Sequence, residues 1–208
     1  MGIIKQKWNN YRRRKRWWSI TLDFLFLVLI VMMLIPTTRK TLSAFIVRQT
    51  LLSPRESSKT IFMSENDWAF RLVSYNGEIT TLGEKRDKPV FLNYWATWCP
   101  PCIAEMPSIQ NLYDAYKDQI NFVFLSNEDP TVVNSFMERR GYNLPLYYPG
   151  SPAPETLESS VLPTTFIITP GGRIVLYKTG AAKWDSKRVF EMMDRLIDKE
   201  EIDGEFVF

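Results

Sequence analysis

Two cysteines, Cys99 and Cys102, are the residues of this 208-residue chain whose type and spacing best fit chemistry. They are the only cysteines, and two residues separate them. A pair this close cannot join distant parts of a fold, so its use is local: redox chemistry, metal binding, or none, as inert core thiols. Zinc prefers four cysteine or histidine ligands, and the chain has no histidine, so we expect no metal beyond a site shared between molecules.

The position of the pair favours redox chemistry. Pro89–Ala96 is an apolar run typical of a strand buried on both sides, and apolar residues at helical spacing predict a helix over 100–116 directly after it. Cys99 would then lie at the N-terminus of that helix, where unpaired N–H groups and the helix dipole stabilise an anion. A thiolate there is nucleophilic near neutral pH, and Cys102, one turn further in, can resolve the mixed disulfide that it forms.

Strands and helices alternate along the rest of the chain. Asn76-Gly77 between two short strand-like runs predicts a hairpin within 61–82, and Pro170-Gly171-Gly172 predicts the turn of a second one. Such alternation predicts an α/β fold with parallel crossovers, closed by an antiparallel hairpin. The further predicted elements are a strand over 121–126, a helix over 131–140 that ends at Gly141, a strand over 146–148, a short helix near 155–160, strands over 164–169 and 174–179, and a helix over 186–199.

The N-terminal region predicts a membrane anchor. Residues 1–16 hold seven basic side chains and no acidic one, and an apolar stretch follows from Trp17 to Ile35, with Asp23 as its single charge. Such a helix spans roughly 28 Å, close to a bilayer core of about 30 Å. The positive-inside rule places residues 1–16 in the cytoplasm and everything after Pro36 outside. The sequence after Pro36 is a poor cleavage site, which favours an uncleaved signal-anchor over a cleaved signal peptide or a buried core helix.

The chain therefore divides into four predicted segments: a cytoplasmic basic segment (1–16), a transmembrane helix (17–36), a tether (37–58) and a globular domain (59–208). The net charge of +3 could suggest a nucleic-acid partner. The charge is unevenly distributed, however, because residues 1–48 hold 10 of the 26 basic and one of the 23 acidic residues. The remaining 16 basic and 22 acidic residues give −6, so the exported part lacks the basic surface that nucleic acid requires. The basic segment would contact anionic lipid of the bilayer instead.

The run from Val90 to Pro107 resembles the TlpA/ResA-like branch of the thioredoxin superfamily. The similarity lies in a Trp-Ala-Thr-Trp-Cys sequence after a strand, in two prolines between the cysteines, and in a glutamate and a proline at fixed distances after them. A second stretch, Val161 to Phe166, resembles the cis-proline loop of that family. The resemblance covers about residues 60–200. It implies a thioredoxin-like fold with a central mixed sheet and helices on both faces.

The resemblance also implies roles for individual residues. Cys99 would be the attacking thiol and Cys102 the resolving one, in a redox-active disulfide. Trp98, Leu162 and Pro163 would bind substrate: Trp98 as an apolar lip around Cys99, and the peptide group of Leu162, before a cis Pro163, by pairing with the substrate backbone like an added strand.

Glu105 is the third candidate catalytic residue. It lies three residues after Cys102 on the same helix face, where a buried carboxylate of raised pKa could exchange a proton with that thiol. The alternative is an ordinary surface glutamate. Asn93 stands where thioredoxin has a buried aspartate, and because an amide cannot act as a base, proton transfer would fall to Glu105.

The implied activity is that of a protein-disulfide reductase in the cell envelope. Without a cofactor, it would reduce disulfides of exported proteins, for example apocytochrome c in cytochrome c-type biogenesis, with electrons from a membrane-embedded thiol protein. Two alternatives stay open: a disulfide oxidase or isomerase, and a non-catalytic thioredoxin-like module that binds extended peptides. The Pro-Pro dipeptide between the cysteines provides no histidine to stabilise the thiolate, which argues against extreme oxidising power.

Overall fold

The structure is a computed structural model that describes residues 17–34, 47, 49–55 and 61–203. The chain divides into two compact units, Met1–Ser43 and Ala44–Phe208. In the first unit, helix α1 (Trp17–Leu34) carries large apolar side chains that are exposed from Leu22 to Val31. Within the described part of the chain, no helix combines the length and apolarity needed to cross a membrane. The predicted basic segment lies outside the described residues.

The second unit is built on an eight-stranded sheet and three long helices. Its elements in chain order are β1 (Ile61–Phe62), α2 (Glu65–Trp68), β2 (Arg71–Ser74), β3 (Ile79–Thr81), a 3-10 turn (Leu82–Lys85), β4 (Val90–Tyr94), α3 (Pro100–Tyr116), β5 (Asn121–Leu125), α4 (Pro130–Arg140), β6 (Leu146–Pro149), β7 (Thr164–Ile168), β8 (Arg173–Thr179) and α5 (Lys187–Asp203).

The strand order is β1-β8-β7-β4-β5-β6-β2-β3. β4 pairs with β5 and β5 with β6 in parallel, whereas the other neighbouring strands are antiparallel. The predicted mixed sheet is therefore confirmed. β4 lies inside the sheet between β5 and β7, so Asn93 pairs with Phe124 on one side and Thr165 on the other. The loop that holds the cysteines starts where this buried strand ends.

The two faces of the sheet are covered differently. Side chains alternate along β4, so Phe91 belongs to one core cluster while Val90 and Leu92 belong to the other. All three long helices contribute buried residues to the cluster that contains Phe91. The other face is covered by α2, the 3-10 turn and the loop around Leu157. Helices therefore lie on both faces, as the resemblance implied, but the three long helices share one of them. Successive right-handed crossovers from β4 to β5 to β6 place α3 and α4 on the same side.

Local signals in the sequence predicted most of these boundaries. The hairpin at Asn76-Gly77 forms with Gly77 at φ +87°, and α4 ends at Gly141 with φ +70°, a left-handed conformation that glycine adopts without a Cβ clash. The prediction of a short helix near 155–160 is wrong, because that segment forms turns. There the Ser159 hydroxyl accepts from Val161 N and donates to Val161 O, and such local side-chain bonds compete with helical ones.

Part of the predicted tether lies against the domain. Lys183 N donates to Leu52 O at 3.0 Å, Pro54 is buried, and Val47 packs against the cluster that contains Phe91. Other apolar residues of that segment, Leu42 among them, lie outside the described residues. The second unit accordingly includes residues before position 59.

Candidate active site

Cys99 and Cys102 form a disulfide at the start of α3, with 5.3 Å between their Cα atoms. Cys99 is the N-cap residue, and its sulfur accepts a hydrogen bond from Cys102 N at 3.2 Å. Pro100 and Pro101 occupy the first helical turn, where a missing N–H breaks no helical bond. The same N–H and the helix dipole would stabilise a thiolate on Cys99 after reduction. The predicted strand–loop–helix placement of the pair is confirmed.

The two cysteines differ in accessibility. Cys99 is 3% exposed and Cys102 is fully buried. Both are buried in the oxidised protein, and Cys99 is the slightly more exposed of the two, the order expected for an attacking and a resolving thiol. Among the described residues, no group of three or more His, Cys, Asp or Glu side chains could hold a metal ion.

A cleft of about 450 Å³ opens at the loop that precedes Cys99. Trp98, 57% exposed, and the half-buried Leu162 both line it, together with Tyr94 and Trp95. The Leu162–Pro163 peptide bond is cis, as the resemblance implied, and Pro163 is buried. The fold thus brings Trp98 and Leu162, two of the three predicted substrate-binding residues, to the same cleft. Pro163, the third, follows Leu162 in the chain. Their contact with a substrate stays a prediction.

Glu105 is buried, with 1% of its surface exposed, so the alternative of a surface glutamate is wrong. Three donors satisfy its carboxylate. Asn93 Nδ2 donates to Oε1 at 3.1 Å, while Ala182 N and Trp184 Nε1 donate to Oε2 at 3.1 and 3.0 Å. Cys102 precedes Glu105 by one helical turn, on the same face of α3.

Burial raises the pKa of Glu105 from its ordinary value of 4.5 to about 7. The cause is loss of water around the carboxylate, which disfavours its charged form. The hydrogen bonds from Trp184, Ala182 and Asn93 and the positive charge of Lys178 act in the opposite direction and only partly offset it. A carboxyl group with this pKa can both accept and release a proton near neutral pH.

Comparisons with known proteins agree with this site. The model of the AhpC/TSA family matches residues 67–177, more than half of the chain. This chain belongs to the AhpC/TSA family. Among its relatives, the thiol-disulfide oxidoreductase ResA of Bacillus subtilis (strain 168) is 37% identical over 114 residues, which cover 53% of this chain and 64% of that protein. ResA of Geobacillus kaustophilus (strain HTA426) is 35% identical over 126 residues, covering 59% and 72%.

The ResA relatives confirm the TlpA/ResA-like resemblance that the motif around Cys99 indicated. The match spans less than two thirds of the Bacillus subtilis protein. A crystal structure of a thiol:disulfide interchange protein of the thioredoxin family, from Chlorobium tepidum TLS, superposes with a TM-score of 0.50 at 22% identity. It covers 68% of this chain and 96% of that chain. This likeness supports the thioredoxin-like fold of this AhpC/TSA family member.

The sequence did not point to several residues of this AhpC/TSA-family site. Thr165 accepts from Asn93 Nδ2 at 2.8 Å, and Ala182 contributes only a backbone N–H, for which no side-chain pattern exists. Trp184 is fully buried, and its indole donates to Glu105. For Thr165 a signal existed, since a polar residue stands where an apolar one would be expected in a buried strand.

Glu128 also lay outside the predicted site. From the loop after β5, its carboxylate accepts from Thr97 N at 2.5 Å and from the Thr97 hydroxyl at 2.7 Å. Thr97 lies two residues before Cys99, so these hydrogen bonds to Glu128 fix the position of the loop that leads to the disulfide. Both residues are half-buried, and Glu128 lines the cleft.

Replacing Glu128 by alanine should lower the free energy of unfolding by about 1–2 kcal/mol, because the Thr97 N–H and hydroxyl lose their acceptor. Urea unfolding of the oxidised protein measures this effect. Glu128→Gln retains one acceptor oxygen and should lose less. Equal urea midpoints of unfolding for the wild type and Glu128→Ala would show that the hydrogen bonds between Glu128 and Thr97 contribute nothing to stability.

Proposed function

We propose that this AhpC/TSA-family protein is a protein-disulfide reductase that works through the Cys99–Cys102 couple. The observation that carries the proposal is the disulfide itself: its more accessible sulfur caps helix α3 beside a cleft lined by Trp98 and Leu162. A sulfur in this position is stabilised as a thiolate and faces a surface on which an extended peptide can lie.

The reaction begins with the reduced protein. The Cys99 thiolate attacks one sulfur of a substrate disulfide, a new S–S bond forms, and the other substrate sulfur leaves as a thiolate. The Cys102 thiol then loses its proton, its sulfur attacks Cys99, and the second substrate sulfur is released. Two electrons pass to the substrate, two protons complete its thiols, and the protein ends in the disulfide state.

Glu105 serves the second step in this proposal. Because Cys102 is buried, its proton has no direct access to water, and the carboxylate one turn away is an acceptor of suitable pKa. The resulting protonated Glu105 returns the proton when the pair is reduced again. The expected substrates are disulfides of exported proteins, for example apocytochrome c, and a membrane-embedded thiol protein would supply the electrons.

A single membrane helix would hold the catalytic domain on the outer side of the cytoplasmic membrane, with the N-terminus in the cytoplasm. The support comes from the sequence: the basic charge of residues 1–16 and the apolar stretch from Trp17 to Ile35. We expect the full-length protein to stay in membranes after alkaline carbonate extraction. A variant with Leu25, Leu27 and Leu29 replaced by lysine should be released, because each charge near the bilayer centre costs about 3 kcal/mol. Release of the wild type would contradict the anchor.

The reduction potential of the couple tests the direction of the reaction. Equilibration of the full-length protein against thiol buffers, followed by quantification of free thiols, gives this potential. A reductase should have a value near that of thioredoxin, about −270 mV, whereas about −120 mV would make the protein a disulfide donor. A pair that forms no disulfide across this range would refute redox function and favour a peptide-binding module.

A further inference from the structure

The hydrogen bonds around Glu105 are arranged for a carboxylate without a proton. All three groups that touch it are N–H donors, from Asn93, Ala182 and Trp184. A neutral carboxylic acid must itself donate one hydrogen bond, so its protonation requires a partner that can accept. At a pKa of about 7, both forms are populated near neutral pH, and the surroundings must satisfy each of them.

Two of the three donors cannot become acceptors. Ala182 donates through its backbone N–H, and Trp184 donates through an indole nitrogen that has no lone pair to accept with. The Trp184 ring is also fixed, since it is fully buried and packs edge-on against Phe91 with ring centroids 5.0 Å apart. Both donors contact Oε2, so the proton belongs on Oε1, the oxygen that faces Asn93.

Asn93 can change from donor to acceptor. Its Nδ2 donates to Glu105 Oε1 and also to the Thr165 hydroxyl oxygen at 2.8 Å. Its own carbonyl oxygen, Oδ1, is buried and has no hydrogen-bond partner among the described residues. A rotation of the amide by about 180° exchanges Oδ1 and Nδ2 with little change in shape. Oδ1 would then accept from protonated Glu105 and from the Thr165 hydroxyl, which can donate as well as accept.

We infer that Asn93 is a positioning residue whose side-chain amide reverses each time Glu105 gains or loses its proton. The buried amide keeps the carboxyl group hydrogen-bonded in both protonation states, which a fixed donor could not do. This inference deepens the proposed function, on which it rests for the destination of the proton at Cys102. The proposed reversal of the Asn93 amide itself depends only on the contacts among Asn93, Glu105 and Thr165.

Among the described residues, few charged groups act on Glu105. Lys178 on β8 is the charged group that acts on it, and it favours the ionised form. The ionisable groups that precede it on α3 are Cys99 and Cys102, which are bonded to each other in the oxidised protein and do not titrate. A titration of the oxidised protein therefore isolates the Asn93–Glu105 pair from thiol chemistry.

Nuclear magnetic resonance of the oxidised full-length protein in detergent tests the inference. Selective labelling would follow the Asn93 side-chain ¹⁵N and the Glu105 carboxyl ¹³C from pH 5 to pH 9. We expect both signals to titrate with one shared midpoint, and the exposed Asn143 side chain to stay unchanged as an internal control. In Glu105→Gln, the Asn93 signal should no longer respond to pH. A flat Asn93 signal in the wild type while Glu105 titrates would overturn the inference.

A variant separates positioning from a purely structural role. Asn93→Leu removes both the donor to ionised Glu105 and the acceptor for its protonated form. Because the hydrogen bond to the charged form is the stronger of the two, the titration midpoint of Glu105 should rise, by roughly half to one pH unit. Thr165→Val removes only the far partner of the amide and should shift the midpoint less. An unchanged midpoint in Asn93→Leu would overturn the role of Asn93. These measurements need no substrate, so a failed reductase assay would leave them standing, and their failure would leave the reductase proposal intact.

Discussion

Replacing Cys99 by alanine is expected to abolish disulfide reduction, with a loss on the order of a thousand-fold or more. In the proposed reaction, Cys99 is the sulfur that attacks the incoming disulfide; it is 3% exposed, whereas Cys102 is fully buried. The rate at which the pre-reduced protein reduces the disulfides of insulin measures this effect. Lys117→Ala, an exposed position at the far end of the same helix, serves as the control and should retain the wild-type rate.

Cys102→Ala should behave differently from Cys99→Ala. Its Cys99 thiolate can still attack, but no resolving thiol remains, so a mixed disulfide with the substrate should accumulate. This species is visible as a band that disappears on reduction in gel electrophoresis. Wild-type reduction by Cys99→Ala, or an equal yield of mixed disulfide from both variants, would contradict the assigned order of attack.

Replacing Glu105 by glutamine should slow protein-disulfide reduction near neutral pH by roughly a hundred-fold, within the range usual for loss of a general acid or base. Glutamine fills the same space but cannot take the proton of the buried Cys102 thiol. The wild-type rate should also change with pH around 7, following the titration of Glu105, and this inflection should vanish in the variant. An unchanged rate and pH profile would exclude Glu105 from proton transfer.

The stability of the oxidised protein should follow the same carboxyl group. The native pKa of Glu105 is about 7, above its ordinary value of 4.5, so the native state binds more protons than the unfolded state between these values. The free energy of unfolding therefore falls as pH rises through this range, by on the order of 3 kcal/mol at most. Urea unfolding at pH 5 and pH 8 measures the difference. Glu105→Gln should lack this component, whereas Glu138→Gln, at an exposed position, should keep it.

The spacing of apolar residues, and the prolines and glycine that begin or end helices, predicted the elements around the site. The apolar run before Cys99, the two prolines after it and Gly141 each act within a few residues, so their effects can be recognised without the fold. The sequence did not reveal that the three long helices share one face of the sheet, because this depends on the order in which the strands assemble. The turn at 155–160 was also missed, since short-range serine hydrogen bonds decided it.

The chemistry of the site was predicted unevenly for the same reason. Cys99 and Cys102 carry their function in their type and spacing. The environment of Glu105 comes from two distant places in the chain: β4 provides Asn93, and the loop before α5 provides Ala182 and Trp184. A sequence pattern could suggest that Glu105 is buried, but the fold alone determines which donors meet its two oxygens.

The short span of the disulfide has a consequence for the energetics of turnover. Its sequence separation is 3, so the cross-link removes little chain entropy from the unfolded state, less than about 2 kcal/mol. Most of the core on both sides of the sheet is formed by side chains other than the two cysteines. Breaking the bond should therefore leave the domain folded, so the free energy of electron transfer is not consumed by partial unfolding. In the proposed function, the driving force of each exchange is then the difference in reduction potential between this couple and that of its partner.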